Sequence, residues 1–177
     1  MNSVATLGGG CFWCLDAFYR RIAGVVNVES GYSGGTTENP TMDQVYGGNT
    51  GHTEVVQVTF DPGQITYREI LEIFFAMHDP TTLNRQNYDV GEEYRSIILY
   101  SDDEQKQIAE DMKANFAPTL YKDPIVTQIV PLEKFWPAEG NQQDFYSKNP
   151  YVGYCQVVID PKIAKLRQKF AARFKEV

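Results

Sequence analysis

The sequence predicts an α+β fold: a two-layer ferredoxin-like split βαβ core, with a mixed sheet carrying helices on one side, plus extra loops and a C-terminal helix. Three observations point there. The first hundred residues read strand, helix, strand, strand, helix, strand. Two of the later helices open on capping sequences. The 177 residues are 42% hydrophobic and 13% aromatic, enough for the core of a single domain spanning 1–177.

Residues 4–8 form the first expected strand. Gly8-Gly9-Gly10 then leads into a helix over about residues 12–21, where Phe12, Leu15, Phe18, Tyr19 and Ile22 fall at helical spacing. Gly24 ends it, and a second strand starts at Val25. A third covers 53–60, alternating Val56, Val58 and Phe60 against Gln57 and Thr59, with Asp61-Pro62-Gly63 as its turn. Thr66-Tyr67-Arg68-Glu69 is a capping box that opens an apolar helix through Ile70, Phe74 and Met77, stopped by Asp79-Pro80. Next come a strand over 95–100, a helix capped by Ser101-Asp102-Asp103-Glu104 and running to about Asn115, and a strand near 125–131. In the terminal helix Asp160 precedes Pro161, and Ile163, Leu166, Phe170, Phe174 and Val177 trace one apolar stripe. Three segments punctuated by glycine and proline, 33–53, 80–93 and 133–155, exceed ordinary connection lengths and are expected to build a site.

A net charge of −7 argues against a nucleic-acid or anionic-membrane surface and favours small neutral or protein substrates. Met1-Asn2-Ser3-Val4-Ala5-Thr6-Leu7 has neither a cationic n-region nor a long apolar stretch. No signal peptide or spanning helix is expected, and the cytoplasm is the expected compartment. Three cysteines are too few, and odd in number, for a disulfide framework, so catalytic, redox or metal roles gain weight. A metal site is not expected, because there is one Cys-x-x-Cys pair and the two histidines stand apart from it.

The stretch 8–16 carries the most chemistry. A glycine run delivers Cys11 to the first turn of a helix, beside unpaired amides and the positive end of the helix dipole, which lower a thiol pKa and favour the nucleophile. Phe12 and Trp13 add an apolar wall. An ordinary strand-to-helix turn around a small buried cysteine is the plain alternative. A P-loop is disfavoured, because its Lys-Ser/Thr pair is missing. Cys11-x-x-Cys14 also matches a dithiol motif, which keeps open a general thioredoxin-like dithiol-disulfide oxidoreductase using Cys11 and Cys14.

Gly10-Cys11-Phe12-Trp13, Gly31-Tyr32-Ser33-Gly34-Gly35, Asn39-Pro40-Thr41 and Gly51-His52-Thr53-Glu54 occur in this order. They are followed by His78-Asp79-Pro80, Asp89-Val90-Gly91, Tyr94-Arg95-Ser96 and Asn149-Pro150-Tyr151. Together they make the chain resemble methionine sulfoxide reductase A over nearly its whole length. The resemblance implies a thiol-dependent reductase that converts the S epimer of methionine sulfoxide, peptide-bound or free, to methionine and so repairs oxidised proteins under oxidative stress. It implies that Cys11 attacks the sulfoxide sulfur and becomes a sulfenic acid, with Phe12 and Trp13 holding the methyl group. It also implies Glu54 as a protonated acid, Tyr94 as a donor to the oxygen and Asp89 as an orienting group. Cys155 is then the resolving thiol, with Cys14 as the alternative; the strain of a disulfide inside a regular helix favours Cys155. Thioredoxin or dithiothreitol supplies the reducing equivalents, with no further cofactor, and a monomer is expected.

Taken on residues alone, Glu54 heads a strand and is placed on the solvent face. Burial beside Phe12 and Trp13 would instead raise its pKa. Many members carry a tyrosine after Asn-Pro-Thr where this chain has Met42, and Tyr46 reaches the same space if 41–47 is a helical turn. Glu92 and Glu93 are expected at the rim of the site. His52 and His78 are expected to be structural hydrogen-bonding residues.

Overall fold

Alternating β-branched residues build the centre of the molecule in the computed structural model, which describes residues 1–175. In chain order the elements are β1 (Ser3–Gly8), α1 (Phe12–Tyr19), β2 (Val25–Ser33), α2 (Met42–Tyr46), β3 (Thr53–Phe60) and α3 (Tyr67–Met77). They continue with β4 (Arg85–Gln86), β5 (Asp89–Val90), β6 (Ile97–Tyr100), α4 (Asp103–Asp111), β7 (Gln128–Pro131), β8 (Phe135–Pro137), α5 (Phe145–Lys148) and α6 (Asp160–Lys169). Six strands form one sheet in the order β7-β6-β1-β3-β2-β8, while β4 and β5 form a separate hairpin. The β6–β7 pair is parallel and the other pairs are antiparallel, so the sheet is mixed.

The two faces of the sheet are unequal. Val56, Val58 and Phe60 of β3, with Ala5, Leu7, Val28 and Ile98, pack beneath the helices against Leu15, Phe18, Ile70 and Phe74. Each such fully buried side chain contributes about 1.5–3 kcal/mol. Val55, Ile97 and Leu99 point the other way into a small cluster closed by Val130, Leu132 and Phe135. Thr66 caps α3 as the sequence requires: its side chain accepts from the Glu69 amide at 3.1 Å, and Glu69 accepts from the Thr66 amide at 3.0 Å. Asp102 caps α4 through the Gln105 amide at 2.8 Å. These bonds stabilise each helix start by about 1 kcal/mol.

Several elements depart from the sequence reading. The C-terminal helix stops at Lys169, where Phe170 turns to φ −118°, ψ 33°. Phe174 therefore lies beyond the helix, bridging to Ile22, although its ring still packs on Phe18 at 5.3 Å. Val177 lies outside the described residues. The strand expected from Arg95 begins at Ile97, because Arg95 closes a 3-10 turn over Glu92–Tyr94. The long segments contain α2, the β4–β5 hairpin, β8 and α5, none of which has a periodic signature.

The segment around α5 is fastened across α1 by polar side chains. The Gln143 amide accepts from the Ser30 N–H and donates to the Ser30 carbonyl, both at 2.8 Å, imitating one rung of a sheet at the edge of β2. Buried Asp16, paired with Arg20, accepts from the Asp144 amide at 2.9 Å. No helix among the described residues is long and apolar enough to cross a membrane.

Candidate active site

Two glycines set the position of the thiol. Gly10 has φ +87°, and a Cβ there would fall 2.7 Å from the Gln86 side chain; one on Gly9 would fall 2.7 Å from the His78 ring. The end of β1 passes so close to α3 and the β4–β5 hairpin that only glycine fits. The Gly10 amide donates to the Tyr94 carbonyl at 3.1 Å, which brings the turn over Glu92–Tyr94 against the same loop.

Cys11 is the N-cap of α1, with extended φ −64°, ψ 130°, and so lies outside the helix proper. Its thiol pKa is the reverse of the sequence expectation: burial, then the nearby Glu54 carboxyl, push it well above the ordinary value. Removing a thiolate from water outweighs the partial charge of a short helix. The N-cap geometry also removes the strain argument against a Cys11–Cys14 bond, since only Cys14 is held in helical backbone.

Glu54 is fully buried, on the same face as Val56 and Val58, and not on the solvent face. Its Oε1 accepts the Phe12 N–H at 3.1 Å, while Oε2 has no partner. Burial raises its pKa to about 8, and the neighbouring Glu93 and Asp89 add to the rise. The carboxyl is thus protonated at neutral pH. Glu93 is itself buried and not at a rim.

Three phenols surround this carboxyl. Tyr32 pairs across strands with Glu54, and its ring lies 5.6 Å from Phe12. Tyr94 is half-buried, and Tyr46, at the end of α2, is exposed, near enough to the Glu54 carboxyl for that charge to raise its pKa. Residues 41–47 do form a capped helical turn, with Met42 packed against the core. All three phenols are held protonated chiefly by burial; the Glu54 carboxyl adds to the shift of Tyr46 and Tyr94, and Glu139, then Glu54, to that of Tyr32.

On the side facing the β4–β5 hairpin, Cys11 and Cys14 line a cleft of about 620 Å³ with Gln86, Asp89, Tyr154 and Lys162. The Tyr154 hydroxyl donates to Asp89 Oδ2 at 2.8 Å and stands 3.9 Å from the Cys14 sulfur. Trp13 is half-buried, stacked on Phe145 at 3.7 Å, with its indole N–H donating to Gln142 at 2.9 Å. Cys155 is fully buried and is not among the residues lining the cleft. All three cysteines are unpaired thiols.

The structure therefore brings Cys11, Phe12, Glu54, Asp89 and Tyr94 together. Tyr32, Tyr154, Gln142 and Phe145 had no assigned place in the sequence reading. Only the position of Tyr154 next to a cysteine hinted at one. Both histidines are held by local partners. His52 accepts from the Gly35 amide and donates to the Thr37 carbonyl; His78 bonds the Phe74 carbonyl and Ser96, with burial lowering its pKa to about 4. Among the described residues no group of three or more His, Cys, Asp or Glu side chains is arranged to hold a metal ion.

Comparison with known proteins gives this arrangement its context. The family model for peptide methionine sulfoxide reductase matches residues 3–174. The peptide methionine sulfoxide reductase MsrA of Sulfolobus acidocaldarius is 57% identical over 167 residues, covering 94% of each chain. Among solved structures, methionine sulfoxide reductase A of Corynebacterium diphtheriae superposes with a TM-score of 0.77 at 34% identity, covering 88% of this chain and 78% of that one. Mxr1 of Saccharomyces cerevisiae, solved in complex with Trx2, superposes with a TM-score of 0.51 at 27% identity, covering 81% and 84%. A match that takes in β1, the Cys11 loop, Glu54, the Asp89–Tyr94 turn and Cys155 in one alignment leaves no separate part to explain: the chain belongs to the peptide methionine sulfoxide reductase family, MsrA.

Proposed function

We propose that this chain reduces the S epimer of methionine sulfoxide, peptide-bound or free, and thereby repairs oxidised proteins. The observation that carries this reading is a neutral carboxyl, Glu54, beside a buried thiol, Cys11: the pair supplies an acid for the departing oxygen and a nucleophile for the sulfur. Glu54 and Tyr94 hold the oxygen, and Phe12 and Trp13 hold the methyl group. Cys11 attacks the sulfur and bonds to it as Glu54 gives its proton to the oxygen; the oxygen then passes to the Cys11 sulfur as the new S–S bond and the S–O bond break, and the thiol proton restores Glu54. Thiol plus sulfoxide thus gives sulfenic acid plus methionine, with no atom left over. Asp89 orients the site through Tyr154.

A second thiol then condenses with the sulfenic acid, forming a disulfide and releasing water. Cys155 fills this role by resemblance. Cys14 is a second reading, favoured by the cleft that it shares with Cys11. Thioredoxin, or dithiothreitol in vitro, returns the disulfide to thiols. The yeast relative solved with Trx2 supports a thioredoxin as the natural partner.

The test is epimer-resolved reduction of a blocked methionine sulfoxide with dithiothreitol, run beside Cys11→Ser. Loss of the S epimer alone, abolished by the substitution, is expected. Turnover of neither epimer would sink the reading and turn attention to disulfide exchange through Cys11 and Cys14. Single turnover without reductant, followed by peptide mapping, distinguishes a Cys11–Cys155 bond from a Cys11–Cys14 bond.

A further inference from the structure

Two buried polar atoms without partners face the same part of the fold. Tyr32 on β2 is directly opposite Glu54 on β3, so their side chains leave the sheet on one face, with Cβ atoms about 4.5–5.5 Å apart. Both residues are fully buried, and both Tyr32 Oη and Glu54 Oε2 lack any hydrogen-bond partner. An unsatisfied buried polar atom costs about 1–3 kcal/mol. Thr53, Tyr67 and Asp144 also carry such an atom, but only Tyr32 and Glu54 carry two on one cross-strand pair beside the thiol, available to a ligand atom there.

Their chemistry specifies that atom. Glu54 Oε1 already accepts the Phe12 N–H, so the proton of the neutral carboxyl is free to sit on Oε2 and be donated. A phenol held protonated is likewise a donor. Two donors leaving one face of adjacent strands suit a strong acceptor with several lone pairs. The Tyr32 ring also touches Phe12, so the same phenol borders the apolar wall where a methyl group would lie.

Resting on the sulfoxide-reductase reading above, we infer that Tyr32 is a further catalytic residue, whose hydroxyl donates to the sulfoxide oxygen alongside Glu54. The oxygen gains negative charge as the S–O bond lengthens, so the bond from Tyr32 strengthens toward the transition state. Tyr32 then resembles a donor of an oxyanion hole, preorganised by its place on a rigid strand.

The test is Tyr32→Phe, assayed on a blocked S-sulfoxide with dithiothreitol, together with thermal unfolding. The substitution removes an unpartnered hydroxyl and nothing else, so Tm is expected to stay level or rise. The expected kcat/KM falls by about 10- to 100-fold, mostly in kcat. A merely structural tyrosine would show no such fall with an intact fold. The Tyr32→Phe/Glu54→Gln double variant should lose much less than the product of the single losses, because both groups act on one oxygen. Activity of Tyr32→Phe within twofold of wild type overturns the assignment. If the wild type itself reduces no sulfoxide, it is the parent reading that fails.

Discussion

The backbone amide of Phe12 donates to Oε1 of Glu54 at 3.1 Å, tying the residue after the thiol to a carboxyl 42 positions downstream. This single bond leaves the other oxygen of a neutral acid pointing at the chemistry. Its consequence is a pH dependence. Glu54 acts as an acid only while protonated, so sulfoxide reduction should fall as pH rises through about 8. Glu54→Gln keeps an acceptor for Phe12, and is expected to lower kcat by about 10²-fold and to remove that alkaline limb. Rates measured from pH 6 to 9 check this.

The same carboxyl makes stability depend on pH. In the unfolded chain it ionises near its ordinary value, whereas in the fold it stays protonated until about 8. The unfolded state therefore releases the proton first, and stability drains away between those two values as pH rises. Glu54→Gln should match wild type in Tm at pH 4.5 and exceed it at pH 8.5. Equal Tm values at both would contradict a buried, neutral Glu54.

All three thiols are raised in pKa, in each case chiefly by burial. Iodoacetamide at pH 7 should modify the native protein far more slowly than free cysteine, and should modify all three positions at once in urea. Mass spectrometry of timed samples reads this out directly. Rapid alkylation of Cys11 in the native state would show that the helix terminus dominates after all.

The Tyr154–Asp89 bond holds the C-terminal segment against the hairpin. A hydrogen bond to a carboxylate of this kind stabilises by about 1–2 kcal/mol. In Tyr154→Phe the amides of residues 150–159 should exchange roughly 5- to 30-fold faster, while those of β1 and β3 keep their protection.

Tyr46 stands one helical turn after Met42, exposed and within range of the Glu54 charge. Tyr46→Phe is expected to lower kcat/KM by roughly tenfold, on the scale of one ordinary hydrogen bond of about 1.4 kcal/mol. Adding Met42→Tyr should recover most of that loss. Failure to recover would mean that the two positions do not share one task.

Much of this was legible because local chemistry and global fold agree. The β3 bounds and the Thr66 cap follow from alternation and capping alone, whereas α4 is capped by Asp102, one residue after the Ser101 that heads the capping box in the sequence. Glu54 shows how a period can be under-read: the step of two that places Val56, Val58 and Phe60 inside carries the carboxyl inside as well. The strand β8 was not legible, since three residues with a terminal proline have no period and exist only by pairing with β2. Phe174 packs inward as its place on the apolar stripe requires, but from beyond the helix, because an apolar stripe records burial and not whether the backbone is still helical. The pairings of Tyr154 with Asp89 and of Tyr32 with Glu54 are long-range and leave no local trace in the sequence.

The cover over Trp13 is supplied by Gln142, 129 residues later in the chain, and by Phe145 beyond it. At about 5–20 residues per second of synthesis, a growing chain carries its bare indole for roughly six to twenty-six seconds before that cover has been made. Exposure of the Trp13 face beside the thiol is thus greatest before translation ends, and the pace of the ribosome sets how long it lasts.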